Sequence, residues 1–310
     1  MRLFVGYKLA DLKKIKLDGD DTIHVLDIYH KHAIEKNIPG LKVVASPHLP
    51  EGEFKEINYL TGPKLMSGEL ALDLMQEISL KIRADQANGL KVKFNLEFIG
   101  KERDKNELLN KIKDDPKRVR SFAAKWKTSV PGGEPIELVS YPGCFCHRRE
   151  DQGGLALAEV ASRELANCKS PLILDMGCGC GLVGALIASV VPSAQITMID
   201  SHTRAVEAAC VNAAALNLNA NVVLADDGID SMTGVKETFD VFVGNPPYYS
   251  DYRIAEVFLD TALKALKKGA VAYTVVKNEA GLKPLQEKYF KEVEVIKRRG
   301  YSVLRSVREG

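Results

Sequence analysis

The sequence carries almost no net charge: 43 Lys and Arg stand against 41 Asp and Glu across 310 residues, a formal +2. Binding of nucleic acid through a global excess of positive charge is therefore excluded, and any RNA contact must be local. Cysteine is missing from the first 143 residues, and all six sit at 144, 146, 168, 178, 180 and 210. A disulfide framework of a small secreted domain would not cluster in this way, so free thiols in a reducing compartment are expected. Long apolar runs are missing too. The most apolar stretch, Gly181 to Val191, falls well short of the roughly 18 residues of a membrane span. The opening MRLFVGYKLADLKKIKLDGDD is too charged for a secretory signal. These absences lead us to expect a cytoplasmic protein with no membrane partner. What is present, 45% hydrophobic and 27% charged residues, suffices for a sizeable core. At about 150 residues per domain, two domains are expected.

Two cysteine pairs invite a zinc reading: Cys144/Cys146, followed by His147, and Cys178/Cys180. Both are spaced C-x-C, where zinc sites commonly place two to four residues between ligands, so no metal is expected. Cys178 and Cys180 then read as small side chains tolerated in a glycine loop, and Cys168 and Cys210 as buried hydrophobes.

From about residue 170 strands and helices alternate. LILDM precedes a helix over 182–190, QITMID precedes a helix over 203–216, and NVVLAD follows. This alternation marks a parallel α/β sheet. FDVFVG reads as a buried strand, 254–266 as an amphipathic helix and VAYTVV as another strand. VEVIKRRGYSVLRSV reads as two closing strands around a hairpin turn at Lys297 to Gly300, which puts an antiparallel edge on the sheet.

The first 130 residues echo this half. EFKEINYLTGP followed by SGELALDLMQEISLKI parallels TFDVFVGNPP followed by YRIAEVFLDTALKAL, and LKVKFNLEFIG then parallels VAYTVV. We read a duplicated α/β unit: residues 1–130 keep the scaffold, and residues 131–310 carry the chemistry. HVLDIYHKHAIEKNIPG is taken as the N-terminal counterpart of the glycine loop, and it offers no glycine cluster for close ligand approach. Residues 101–127 hold 10 Lys or Arg against 5 Asp or Glu, and Lys117, Arg118, Arg120, Lys125 and Lys127 are close enough in sequence to form a phosphate-facing patch. A solvated helix face is the alternative.

LILDMGCGCG places Asp175 at the end of a buried strand, followed by Gly177, Cys178, Gly179 and Gly181 ahead of a helix whose free N–H groups suit an anionic group. The glycines alone also fit a dinucleotide fold. Asp175 favours a ligand with a cationic amine and sulfonium, such as S-adenosylmethionine, over a pyrophosphate. Asp200, 19 residues after Gly181, is placed to accept ribose hydroxyls, and Asp227 to accept from an adenine amine. Asn245, Pro246, Pro247 and Tyr248 follow FDVFVG. Neither proline has an N–H, so the exposed groups are acceptors, the Asn245 side-chain oxygen and the Pro246 carbonyl, which together can grip an sp² amine. Tyr248 supplies a face for stacking a planar base or amide.

DMGCGCG, the ID at 199–200 and NPPY resemble class I S-adenosylmethionine-dependent methyltransferases acting on amino nitrogens. YPGCFCHRREDQGGLALAE resembles the P-G-x-F-S-x-x-x-x-D-x-G segment of ribosomal RNA guanine-N2 methyltransferases. The resemblance covers roughly residues 50 to 310. It implies an α/β fold: a C-terminal Rossmann-like methyltransferase domain preceded by a degenerate, duplicated domain available for RNA positioning. It also implies ribosomal RNA or the ribosomal subunit as partner, and Asn245 to Tyr248 as the residues that meet the target amine. Phe145 and Asp151 would border the cleft, and Arg148 and Arg149 would meet phosphates. Cys146 stands where the family commonly has Ser. Methylation of adenine or of a glutamine amide, a non-catalytic RNA-binding module and an NAD-dependent oxidoreductase are the alternatives.

Overall fold

The computed structural model describes residues 1–113, 119–230, 232–247 and 252–309. The chain divides into two compact units. Unit 1 comprises Met1–Ala123 with the short segments Tyr141–Gly143 and His202–Arg204, and unit 2 comprises Ala124–Ser140, Cys144–Ser201 and Ala205–Gly310.

In chain order, unit 1 holds β1 (Arg2–Val5), α1 (Leu9–Leu12), β2 (Thr22–Val25), α2 (Ile28–Asn37), β3 (Lys42–Ala45), β4 (Glu56–Thr61), α3 (Gly68–Ala87), β5 (Lys93–Phe98) and α4 (Glu102–Lys113). Its five strands are all parallel, in the order β3-β2-β1-β4-β5. Leu3, Val5, Ile57 and Tyr59 pack with Leu70, Leu74 and Ile78 of α3 on one face, while Phe4, Ile23 and Leu60 pack with Leu12 and Ile34 on the other. Strands covered on both faces need apolar residues at successive positions, which explains the runs RLFV and INYL.

Unit 2 begins with the hairpin of β6 (Ala124–Thr128) and β7 (Ile136–Ser140), which the sequence reading did not foresee. It continues with α5 (Gln152–Leu165), β8 (Leu172–Met176), α6 (Leu182–Val190), β9 (Gln195–Asp200), α7 (Thr203–Ala215), β10 (Ala220–Leu224), β11 (Phe239–Gly244), α8 (Arg253–Ala265), β12 (Leu266–Val276), α9 (Glu279–Tyr289), β13 (Glu294–Arg298) and β14 (Tyr301–Val307). The seven-stranded sheet runs β10-β9-β8-β11-β12-β14-β13, with β13 and β14 antiparallel as expected. Arg299 and Gly300 form the hairpin's two-residue turn, both at positive φ (49° and 72°), a geometry that matches the right-handed twist of the flanking strands. The α8 core face is Ala255, Phe258, Leu259, Ala262 and Ala265. Val257, one of the apolar positions of that helix in the sequence, is exposed.

The first five strands of this sheet take the same order as unit 1, with β8 in the place of β1. The central strand of each sheet pairs on both sides, β8 with β9 and β11, and β1 with β2 and β4. The counterpart of the glycine loop is therefore Gly6 to Lys8, and HVLDIYHKHAIEKNIPG corresponds to β9 and α7. The loop after β1 is closed, since a Cβ at Gly6 would collide with the Leu60 carbonyl. Of the basic patch, Lys117 and Arg118 fall outside the described residues. Lys125 and Lys127 stand exposed on β6, and Lys125 faces Glu137. Cys168 and Cys210, expected to be buried, are exposed. Cys168 sits in the loop after α5, and Cys210 follows the buried Ala208 and Ala209 onto the outer face of α7.

Candidate active site

Strand register brings the two sequence motifs together. Gly244 of β11 pairs with Met176 of β8, so Gly177 and Asn245 leave adjacent strands side by side, where neighbouring strands run about 4.8 Å apart. The N–H groups of Gly177 and Cys178 both donate to the Ile199 carbonyl (2.8 and 3.0 Å), and the Gly181 N–H donates to the Cys178 carbonyl (2.8 Å). Gly177, Gly179 and Gly181 all adopt the left-handed region, at φ 67°, 56° and 82°. A Cβ at Gly177 would stand 2.7 Å from the Phe258 ring, whereas one at Gly179 would meet nothing within 4 Å. The first glycine is thus demanded by packing, and the second borders open space. Asn212 of α7 donates to the Cys180 carbonyl (2.8 Å) and pins the loop. Cys178 and Cys180 are buried, and burial pushes both thiols up, Cys180 to about 12. They are neutral packing groups rather than nucleophiles.

The acids differ in placement. Asp175, expected to face the ligand as an anion, is 2% exposed. Its Oδ2 accepts from the Gly184 N–H in the first turn of α6 (3.0 Å). Burial raises its carboxyl to about 7, against the pull of that hydrogen bond and helped by the nearby Asp200 charge. Asp200, at the end of β9, accepts from the Gly179 N–H through Oδ2 (2.9 Å). Asp227 is exposed and Asp226 half-buried beyond β10.

Asn245 is half-buried, and its Nδ2 donates to Asp151 Oδ2 (2.8 Å). The other oxygen of Asp151 caps α5 by accepting from the Gly153 N–H (3.0 Å). A carboxylate only accepts, so it must receive the NH₂ group, and this fixes the amide orientation and leaves Oδ1 as the group available to a ligand. Burial raises the Asp151 carboxyl, opposed by hydrogen bonds from Gly154, Gly153 and Asn245. Pro246 is buried and Pro247 half-buried, while Tyr248 lies outside the described residues. Phe145 is 69% exposed, and Arg148 and Arg149, three and four residues further along the chain, are exposed as well.

The sequence reading placed Asp151 at the cleft without its bond to Asn245, and it read the β13–β14 turn without its place beside the site. A Cβ on Gly153 would stand 3.3 Å from the Tyr301 ring and 3.5 Å from Asn245 Nδ2. The first turn of α5 therefore has Tyr301 and Asn245 as immediate neighbours. Arg298 and Arg299 both bind the buried Glu159. The only signal in the sequence was RRG, which marked the turn and not its position in the sheet. Among the described residues, no three His, Cys, Asp or Glu side chains gather as a group able to hold a metal ion. The arrangement can therefore orient a fixed carbonyl acceptor beside an open glycine cradle.

Known proteins match this architecture. The chain is 31% identical over 199 residues to a ribosomal RNA small subunit methyltransferase C of Pseudomonas entomophila, covering 63% of this chain and 57% of that protein. It is 30% identical over 177 residues to the protein of that name from Pseudomonas putida, covering 56% and 51%. The chain thus spans a little over half the length of these relatives. The structure of a T. thermophilus 16S rRNA N2 methyltransferase in complex with AdoMet and guanosine superposes with a TM-score of 0.79 at 18% identity, covering 99% of this chain and 88% of that one, and so shares its fold. The model of the methyltransferase small domain matches residues 135–305, the stretch that holds the glycine loop, Asp151 and Asn245, and the chain belongs to that family.

Proposed function

We propose that this protein transfers a methyl group from S-adenosylmethionine to the exocyclic N2 amine of a guanine in ribosomal RNA. The observation that carries the reading is the pairing of Gly244 with Met176, which sets Asn245, oriented by Asp151, beside the glycine loop. The loop fits the cofactor: Gly179 borders open space, and Asp200 closes β9 where ribose hydroxyls can be accepted. Asp227, exposed beyond β10, is read as the acceptor for the adenine amine. When bound, S-adenosylmethionine supplies a methyl group already activated on sulfur, and what is asked of the protein is position.

Asn245 Oδ1 and the Pro246 carbonyl accept the two hydrogens of the amine, which leaves its lone pair free to face the methyl group. Without N–H groups, Pro246 and Pro247 offer no competing donor. Exposed Phe145 offers a stacking face, and the exposed Arg148 and Arg149 that follow it in the chain offer cations for phosphates, a combination suited to a flipped-out nucleotide. The name of the relatives favours ribosomal RNA over a glutamine amide, and the guanosine held by the structural neighbour favours guanine over adenine. Unit 1, with its loop closed by Leu60 and with Gly62 following β4 where Asn245 follows β11, is read as catalytically silent and as a surface for positioning RNA. The reading entails a cytoplasmic enzyme whose partner is ribosomal RNA or the ribosomal subunit.

Incubation with radiolabelled S-adenosylmethionine and unmodified ribosomal RNA, followed by digestion to nucleosides, should yield labelled N2-methylguanosine. Label in N6-methyladenosine, or only in a peptide glutamine, would replace guanine as the substrate.

A further inference from the structure

Beyond the grip on the amine, unit 2 carries a cationic ledge that the catalytic reading does not use. Val276 at the end of β12 pairs with Ser302 at the start of β14. The β13–β14 turn therefore stands at the carboxyl end of the parallel strands, the end from which Gly177 and Asn245 also emerge. Lys277, the residue after β12, holds its ammonium 4.4 Å from the centre of the Tyr301 ring, and among the described residues no carboxylate pairs with it. Arg298 and Arg299 share one buried carboxylate, Glu159, and their side chains still keep 38% and 35% of their surface exposed. Lys277, Arg298 and Arg299 thus have one carboxylate among them, the neighbouring Glu279 being held by Lys297 and Ser302, and the excess charge is open to solvent. Tyr301 connects this ledge to the site, because its ring and the Asn245 amide both border the first turn of α5.

Resting on the reading above, we infer that Lys277 and Arg299, braced by Tyr301 and Glu159, form a subsite for a phosphodiester of the RNA strand next to the methylated nucleotide. Two features equip the ledge for such a ligand. A lysine steadied on an aromatic face keeps its N–H donors unspent, unlike one held by an acid. The Arg299 guanidinium, anchored by Glu159 through Nε and one terminal nitrogen and reaching Gln152 Oε1 at 3.4 Å through the other, keeps one further N–H on each terminal nitrogen for phosphate oxygens. A strand whose base is turned into the cleft must carry its flanking phosphates over the rim, and the ledge lies on that rim.

The test measures binding of unmodified ribosomal RNA to the full chain from about 50 to about 200 mM salt. Four variants are compared with the parent: Lys277→Gln, Lys277→Arg, Arg299→Gln and Lys268→Gln, the last at the opposite end of β12. Lys277→Gln and Arg299→Gln should each weaken binding several-fold and make the slope of log affinity against log salt shallower by about 0.7 to 0.9, the share of one phosphate contact. Lys277→Arg should restore the slope, Lys268→Gln should match the parent, and S-adenosylmethionine binding by calorimetry should be equal in all. An unchanged slope in Lys277→Gln with RNA still bound overturns the subsite and leaves the methyltransferase reading standing. A parent that takes up cofactor but binds no RNA overturns both the subsite and the RNA substrate. A lowered melting midpoint in Lys277→Gln, with the slope intact, assigns Lys277 a structural role instead.

Discussion

Asn245 can present its side chain in two orientations that differ by a half-turn, and Asp151 decides between them. Asp151→Asn removes that bias, since an amide can both donate and accept. We expect turnover to fall by about 10- to 100-fold, with S-adenosylmethionine affinity within about twofold of the parent. Asn245→Ala, which deletes the acceptor itself, should cost about 10²- to 10³-fold in kcat, comparable to losing one preorganised group elsewhere. Equal losses of turnover and cofactor affinity in steady-state and calorimetric measurements would show that the pair supports the fold and not the reaction.

Asp175 gives a second prediction at this scale. Its folded carboxyl titrates near 7, against 3.8 in the unfolded chain. Between these values the folded state holds a proton that the unfolded state has released, so stability falls as pH rises from about 4 to about 7 and levels off above, at no more than about 1.4 kcal/mol per pH unit. In Asp175→Asn this contribution is absent. Urea midpoints of parent and variant should therefore diverge toward pH 5, in favour of the parent, and a difference constant with pH would refute the assignment.

At the scale of the element, α6 and the loop before it separate packing from ligand contact. A Cβ at Gly184 would stand 2.7 Å from Met198 Cε and 3.2 Å from Asp175 Oδ2. Gly184→Ala should therefore destabilise unit 2 by about 1–3 kcal/mol, as overpacked cores do. Gly179→Ala meets no atom within 4 Å and carries only the left-handed backbone penalty at φ 56°, about 1–2 kcal/mol. Its methyl group would enter the cradle, so its main effect should be on S-adenosylmethionine affinity. Thermal melts and calorimetry on the two variants check this, and the assignment of the open face to the cofactor fails if Gly179→Ala binds as tightly as the parent.

Across the whole molecule, legibility in the sequence followed the range of the interactions. The buried strands LILDM and FDVFVG announced themselves as apolar runs, and the RRG turn as a pair of left-handed residues, because both signals are local. The repeat was visible in β4, α3 and β5 for the same reason. The match for the glycine loop slipped by one strand, since β1 is only four residues long and its central place depends on pairing with β2 and β4. The Asp151–Asn245 bond joins residues 94 apart, and nothing in either segment encodes the distance. The β6–β7 hairpin was hidden inside a charged stretch where Lys125 and Lys127 alternate with Ala124, Trp126 and Thr128, a period of two read instead as surplus charge.

One feature of the seven-stranded sheet bears on how the protein is made. Strand β14 comes after β8 to β13 in the chain yet is wedged between β12 and β13, with partners on both flanks. Until the ribosome that synthesises this chain has released those residues, β12 presents a bare edge and the Tyr301 side of the cleft does not exist. The sheet of unit 1 can assemble while synthesis continues, but that of unit 2 must wait, and its exposed strand is the point at which a stalled nascent chain is most vulnerable to aggregation.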